Sequence, residues 1–356
     1  MKIYTITCNN AYNYGAVLQA YGLQKYLTDK GCDVEIINFW PPHLRKISKQ
    51  YRKNVLAILA RKILYFPDYH RSKSTFANFR KKYLNETPIC HNAEDIKSLP
   101  HGDLYICGSD QIWNPDMENG YCPEYFMHIG KNIKKVSYAA SIGLSEIEKK
   151  YEKYIESMLI DFTTITVREK ASVEMLSKMN ISSSYVVDPV YLLSDEEWRK
   201  VKGNIYNENY ILVYALHHVQ EIYDYAIRLG KSLNCKVFVI SVEIKEKRRG
   251  GDKFFWNPQV GDFISLIDGA QAVVTNSFHG VSFSCIFQKP VHIFDTEKND
   301  IRIKNVLEIF DMHDRIVPAD LKLINNSVSK TSLNLMACEI KRSKKILDDM
   351  IYGVKM

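Results

Sequence analysis

Short apolar runs alternate with amphipathic stretches from the first residues of this chain. Lys2 to Thr7 is rich in β-branched residues and predicts a strand. From Ala16, apolar residues at 17, 18, 20, 21, 23, 26 and 27 follow the period of a helix that buries one broad face, and Gly31 supplies its stop. The turn-rich stretch from Cys8 to Gly15 predicts a loop between them. Asp33 to Phe39 predicts the next strand. A strand, a helix and a strand at this spacing make a βαβ unit, which predicts a parallel sheet covered on both faces.

The alternation continues. Strands are expected at Asp103–Cys107, Lys135–Ala140, Thr163–Arg168 and Tyr185–Val187. Helices are expected at Ser145–Met158, with Ser145 and Glu148 as a capping box, and at Glu169–Met179. Asp188-Pro189 ends regular structure, and a domain boundary is placed after it, between 193 and 194. The second half repeats the pattern. Its strands are expected at Tyr210–Ala215, Lys236–Ser241, Ala272–Thr275 and Pro290–Phe294, with a charged loop over Lys245–Asp252. Its helices are expected at Val219–Leu233, Val260–Ile267, His279–Phe287, Ile301–Asp311 and Leu333–Ile351. The fold class is therefore α/β, with two Rossmann-like doubly wound domains over 1–193 and 194–332. Their strand ends are expected to face a central cleft, and a final helical segment, 333–356, is a candidate to cross back to the first domain.

Composition narrows the class. At 356 residues the chain has room for two domains, and 46% hydrophobic with 25% charged residues is the balance of a soluble globular protein. The N-terminus lacks the pattern of a signal peptide, and no apolar run is long enough to span a bilayer. The eight cysteines form no Cys-x-x-Cys pair, so they are read as reduced thiols of a cytoplasmic protein without a zinc site. Charge is uneven. The chain carries +7, yet residues 41 to 84 hold twelve Lys and Arg against a single acid, Asp68, which is +11 and leaves −4 elsewhere. No nucleic-acid motif accompanies this segment, so nucleic acid is not expected as a partner. It reads as part of a helical insertion over 41–100. Apolar residues interleave with the basic ones, so a solvated hairpin and peripheral contact with the inner membrane face through 41–84 both stay open.

Ligands bind beyond the carboxyl ends of parallel strands, which puts the candidate chemistry in four strand-exit loops: Asn9–Gly15, Gly108–Pro115, Arg168-Glu169 with Ser172, and Asn276–Gly280. The second offers Ser109, Asp110, Gln111 and Asn114 for hydroxyl groups and the Trp113 ring for a sugar face, against the plainer reading of a turn in which Asp110 caps a helix. In the fourth, Ser277, His279 and Gly280 open a helix straight after a buried strand. Backbone N–H groups at such a start attract anions, and histidine exchanges protons near neutral pH. A lone histidine there is more often structural. No Gly-x-Gly-x-x-Gly, phosphate-binding P-loop, Asp-x-Asp or Gly-x-Ser-x-Gly occurs.

At these loops the sequence resembles the polysaccharide pyruvyl transferase family, from about Lys2 to Arg315. The matching pieces are Asn13–Ala20, Gly108–Asn114, Tyr138–Gly143, Val167–Glu169, Val187–Val190 and Ser277–Gly280. Many relatives carry an arginine and a leucine before the histidine-glycine pair, where this chain has Ser277-Phe278, which removes one phosphate-binding arginine. The resemblance implies transfer of pyruvate from phosphoenolpyruvate to a sugar as a cyclic ketal. It implies no further cofactor, no metal, and a saccharide acceptor whose attachment to a lipid stays open, as does the oligomeric state. Within it, His279 is the candidate acid or phosphate ligand and Asp110 the candidate base. Arg168, Ser277, Gly280, Arg302 and Lys298 are candidates for the donor. Asn13, Tyr14, Ser109, Gln111, Trp113 and Asn114 are candidates for the acceptor. The rivals are a glycosyltransferase of the GT-B type using a nucleotide sugar, and a non-catalytic sugar-binding protein.

Overall fold

The computed structural model describes residues 1–45, 55–130, 133–294, 301–325 and 327–353. The chain forms two compact units. The first comprises 1–59, 80–193 and 338–356, the second 60–79 and 194–337.

In the first unit the strand β1 (Lys2–Ile6) leads through a loop to the helix α1 (Tyr14–Asp29) and the strand β2 (Asp33–Phe39). The helix begins two residues earlier than the apolar period indicates. Asn13 is its N-cap, with Oδ1 accepting from the N–H groups of Gly15 and Ala16. After α2 (Pro42–Arg45) and α3 (Val55–Tyr83) comes a strand that the hydrophobic pattern does not reveal, β3 (Glu86–Cys90). It contains Pro88 and lies at the sheet edge, where a missing N–H costs nothing. The rest of the unit is α4 (Ala93–Lys97), β4 (Leu104–Gly108), β5 (Lys135–Tyr138), α5 (Lys149–Leu159), β6 (Thr166–Val167), α6 (Lys170–Lys178) and β7 (Ser184–Tyr185). The sheet runs β3-β2-β1-β4-β5, all parallel, and isolated bridges Val136–Thr164 and Ala140–Val167 carry it on to the β6-β7 pair. The α5 helix starts later than expected: Glu148 occupies its N-cap without a side-chain bond, and the Ser145 capping box is absent.

The second unit repeats the order. After α7 (Asp195–Arg199) come β8 (Tyr210–Tyr214), α8 (Gln220–Ser232), β9 (Lys236–Ser241), β10 (Lys253–Trp256), α9 (Val260–Gly269), β11 (Ala272–Thr275), α10 (Phe278–Ile286), β12 (Val291–Ile293) and α11 (Ile301–Phe310). The sheet runs β10-β9-β8-β11-β12, again all parallel. The short edge strand β10 was not expected from the sequence. It follows two glycines with φ of 118° and 109° that end the charged loop. Residues 60–79 were expected with the first domain as part of the 41–100 insertion. They belong to the second unit because Asp68, Ser72 and Thr75 bond to Ile244, beyond β9, and to Trp256 and Asn257 at the end of β10.

The last helix, α12 (Lys330–Tyr352), starts in the second unit and belongs to the first from Cys338 onward. There Ser343 Oγ accepts from the Val187 N–H at 3.0 Å, Arg342 donates to the Tyr185 carbonyl at 2.9 Å, and Leu347 and Ile351 are buried. Asp348 takes both Tyr26 Oη at 2.9 Å and Lys30 Nζ at 2.8 Å.

Candidate active site

Each sheet reverses its strand order once, between β1 and β4 and between β8 and β11. Open parallel sheets bind ligands at such a reversal, beyond the strand ends. Three of the four candidate loops leave these strands, so the topology itself selects them.

In the first unit the β1 and β4 exits are tied together. Thr7 Oγ1 donates to the Ser109 carbonyl at 2.8 Å, and Gln19 Nε2 donates to Thr7 Oγ1 at 2.8 Å. Gly108 hands over to Ser109 and then to Asp110, whose φ of 66° lies in the left-handed region that ordinary side chains avoid. That turn lets the Asp110 carbonyl accept from both Ile112 and Ser141, and Oδ1 accepts from the Gln111 N–H at 3.0 Å. Beneath the turn lies Arg168, 2% exposed. Its Nη1 donates to Asp188 Oδ2 at 2.7 Å, its Nε donates to Glu169 Oε1 at 3.2 Å, and its Nη2 lies 3.9 Å from Asp110 Oδ1. Burial opposes the arginine's charge, but Asp188, Glu169 and Asp110 outweigh it and hold its pKa above the usual value. Ser109 completes the network by donating to Asp188 at 2.9 Å. Asp188 also accepts from the Val190 N–H at 3.0 Å and so starts the turn over Pro189–Leu192. That turn packs on α1 at Gly22, where a Cβ would approach the Pro189 carbonyl to 2.7 Å.

This geometry corrects part of the acceptor reading. Trp113 is 1% exposed. Its Nε1 donates to the Tyr125 carbonyl at 3.1 Å, and its ring stacks on Phe126 at 5.3 Å, so it belongs to the core rather than to a sugar platform. Tyr14 is equally buried, in the first turn of α1, and Asn13 is engaged as the cap. Asn114 is buried and turns the chain by accepting from the Asp116 N–H. Asn13, Asp110 and Gln111 are the partly exposed side chains of the group. Arg168 stands under Ser109 and Asp110, matched by carboxylates, and is not presented as an open cation.

In the second unit β11 ends on Thr275, whose Oγ1 donates to the Tyr214 carbonyl at 2.6 Å and accepts from the Ser277 N–H at 3.0 Å. Ser277 caps α10 by accepting from the Gly280 N–H at 3.4 Å. Gly280 lies so close to β11 that a Cβ there would clash with the Thr275 side chain. The strand therefore delivers His279, 6% exposed, to the first turn of a helix at the strand-order reversal. Asn276 braces the neighbouring exit. Its Oδ1 accepts from the Leu216 N–H at 2.8 Å, and its Nδ2 donates to the His217 carbonyl at 2.7 Å. Arg302 is half-buried in the first turn of α11, which packs against α10. Lys298 lies outside the described residues.

The sequence reading missed the exit of β8. His217 is exposed there. His218 is half-buried, with Nδ1 2.7 Å from Tyr223 Oη and 3.7 Å from Glu246 Oε2. Burial pulls the His218 pKa below its usual 6.5, against the neighbouring carboxylates of Glu246 and Glu243. Two histidines directly after a predicted strand were the available signal. Among the described residues no group of three or more His, Cys, Asp or Glu is placed to hold a metal ion.

A family model described as polysaccharide pyruvyl transferase matches residues 13–298. No curated protein matches the chain. Among solved structures, the UDP-GlcNAc 2-epimerase of Methanocaldococcus jannaschii is similar at 11% identity, over 99% of this chain and 100% of that one, with a TM-score of 0.50. UGT89C1 of Arabidopsis thaliana is similar at 9% identity, over 98% and 99% of the two chains, also with a TM-score of 0.50. At such identities the likeness shows the fold alone, that of two Rossmann-like domains.

Proposed function

Because the chain belongs to the polysaccharide pyruvyl transferase family, we propose that it moves the enolpyruvyl group of phosphoenolpyruvate onto a sugar of a cell-surface or exopolysaccharide precursor. The product is a cyclic ketal, and phosphate is released. Membership makes the chain a transferase acting on polysaccharide. The observation that supports the finer reading is the second unit's strand-order reversal, where Ser277 and Gly280 set His279 in the first turn of α10. A helix start favours an anion through its N–H groups and its dipole.

In this reading the donor's phosphate or carboxylate meets the start of α10, with Arg302 on the adjoining helix as a cation able to hold two oxygens at once. His279 gives a proton to the methylene carbon C3. The C2–C3 π electrons form the new C–H bond, and C2 becomes electrophilic. A sugar hydroxyl then bonds to C2 and loses its proton to a base. The C2–O bond to phosphate breaks, the phosphate leaving with the electron pair, and a second hydroxyl bonds to C2 in its place, gives its proton to the departing phosphate and closes the ketal. His279 serves as acid or, in the alternative, as the phosphate ligand.

In the first unit, Asp110 is the candidate base. Asp110 is partly exposed, held by its strained turn, with the guanidinium of Arg168 at 3.9 Å. Three carboxylates around one arginine leave this cluster with a net negative charge. It suits hydroxyl groups better than a trianionic donor, so Arg168 is assigned here to positioning Asp110 and not to first contact with the donor. Gln111 is the adjoining group for the sugar.

A thermal-shift comparison tests the reading. Phosphoenolpyruvate is expected to raise the melting temperature and nucleotide sugars to leave it unchanged. Stabilisation by a nucleotide sugar alone would point instead to glycosyl transfer.

A further inference from the structure

Trp113 belongs to the core, so it offers no face to a sugar at the β4 exit. Another ring stands close by. Beyond β4 the chain makes one tight 3-10 turn over Glu118–Tyr121. That turn is fastened to both strands of the first unit's reversal. On the β1 side, Asn119 Nδ2 donates to Cys8 Sγ at 3.3 Å. On the β4 side, the Met117 N–H donates to the Asn114 carbonyl at 3.0 Å. Gly120 packs there as well, and a Cβ on it would come within 2.3 Å of the same carbonyl oxygen. The turn is thus held at the β1 and β4 exits, where an open parallel sheet takes its ligand.

Tyr121 closes this turn and is 46% exposed. It is nevertheless braced. Its ring meets the edge of Tyr151 at 5.6 Å and a tilted Tyr154 at 5.8 Å. Tyr154 meets Phe126, which stacks on Trp113, so the row of rings runs back into the core. A ring held in this way loses little side-chain entropy when a ligand settles on its free surface. In a 3-10 turn, side chains three apart share one side. Glu118 therefore stands with Tyr121, and its side chain is 77% exposed. A ring can cover the C–H face of a pyranose, and a carboxylate accepts hydrogen bonds from its hydroxyl groups. The same carboxylate repels an anionic donor.

We propose that Tyr121 is the platform on which the acceptor sugar stacks, with Glu118 accepting from its hydroxyl groups. This rests on the reading of the chain as a transferase to saccharide, and it adds a contact to the Asp110 side of that site.

Saturation-transfer NMR on the full chain, with no donor present, tests the platform. The ligands are the methyl glycosides of glucose, galactose, mannose, N-acetylglucosamine and N-acetylmannosamine. Irradiation of the protein's aromatic protons should pass to ring C–H protons of at least one of them. Tyr121→Ala should remove most of that transfer and weaken binding about two- to tenfold. Tyr121→Phe should keep both, and Glu118→Ala should weaken binding while the aromatic transfer persists. Tyr69→Ala, which removes an exposed ring of the second unit, should change nothing. Tyr121→Leu retains an apolar partner for Tyr154 and replaces the alanine variant if that one melts early. Transfer to none of the glycosides would overturn the proposal. So would parental binding by a Tyr121→Ala or Tyr121→Leu variant that melts normally. A chain that binds a glycoside through Tyr121 yet releases no phosphate from phosphoenolpyruvate would count against the proposed reaction and support the platform.

Discussion

At the scale of single residues, the buried groups that hold the candidate loops differ from the groups proposed to act there. Arg168 is of the first kind. It joins positions 109, 169 and 188, which the sequence keeps far apart, in one buried network. Arg168→Met should destabilise the protein by about 3–5 kcal/mol, because Asp188 and Glu169 are left buried without their cation. Urea unfolding monitored by tryptophan fluorescence checks this, and a midpoint close to the parent's would contradict it. That network could not be read in advance, since nothing local distinguishes a paired arginine from one awaiting an anion. Trp113 failed in the same way. A ring in a polar loop resembles a sugar platform, and only the third dimension shows Phe126 and Tyr125 enclosing it. The placement of His279 at a helix start was legible because its signal is local: a buried strand, a serine cap, then histidine and glycine.

At the scale of elements, the hydrophobic pattern located most strands and missed two edge strands. The central strands β1, β2, β4, β8, β9 and β11 were all expected. The edge strands β3 and β10 are short, and a proline in one and preceding glycines in the other disguise them. Helix α12 shows how one amphipathic pattern can serve two units. Its later half buries Leu347, 0% exposed, in the first unit, while Leu335 in its earlier half is 38% exposed. Leu347→Ala should cost about 2–5 kcal/mol and Leu335→Ala no more than about 0.5 kcal/mol. Thermal melts of the two variants side by side check the contrast, and equal effects would refute the packing described for this helix.

At the scale of the whole molecule, two parallel sheets with the same strand order each place a reversal beside a candidate loop. The alternation of strands and helices revealed this architecture, but the assignment of residues 60–79 to the second unit needed the contacts of Asp68 and Thr75. The second reversal also carries a titrating group. His218 has a pKa below its usual 6.5 because it is buried, so the folded state binds its proton less readily than the unfolded chain. Its contribution to stability is whole above about pH 6.5 and is lost as pH falls through the depressed folded pKa. His218→Gln should flatten that slope, and a set of melting curves across this range shows whether it does. The central claim is that His279 works on phosphoenolpyruvate at the start of α10. Its most direct test is phosphate release from phosphoenolpyruvate with galactoside acceptors, comparing the parent with His279→Ala. The account predicts acceptor-dependent release by the parent and none above background by a variant that melts normally. Near-parental release by His279→Ala would contradict it.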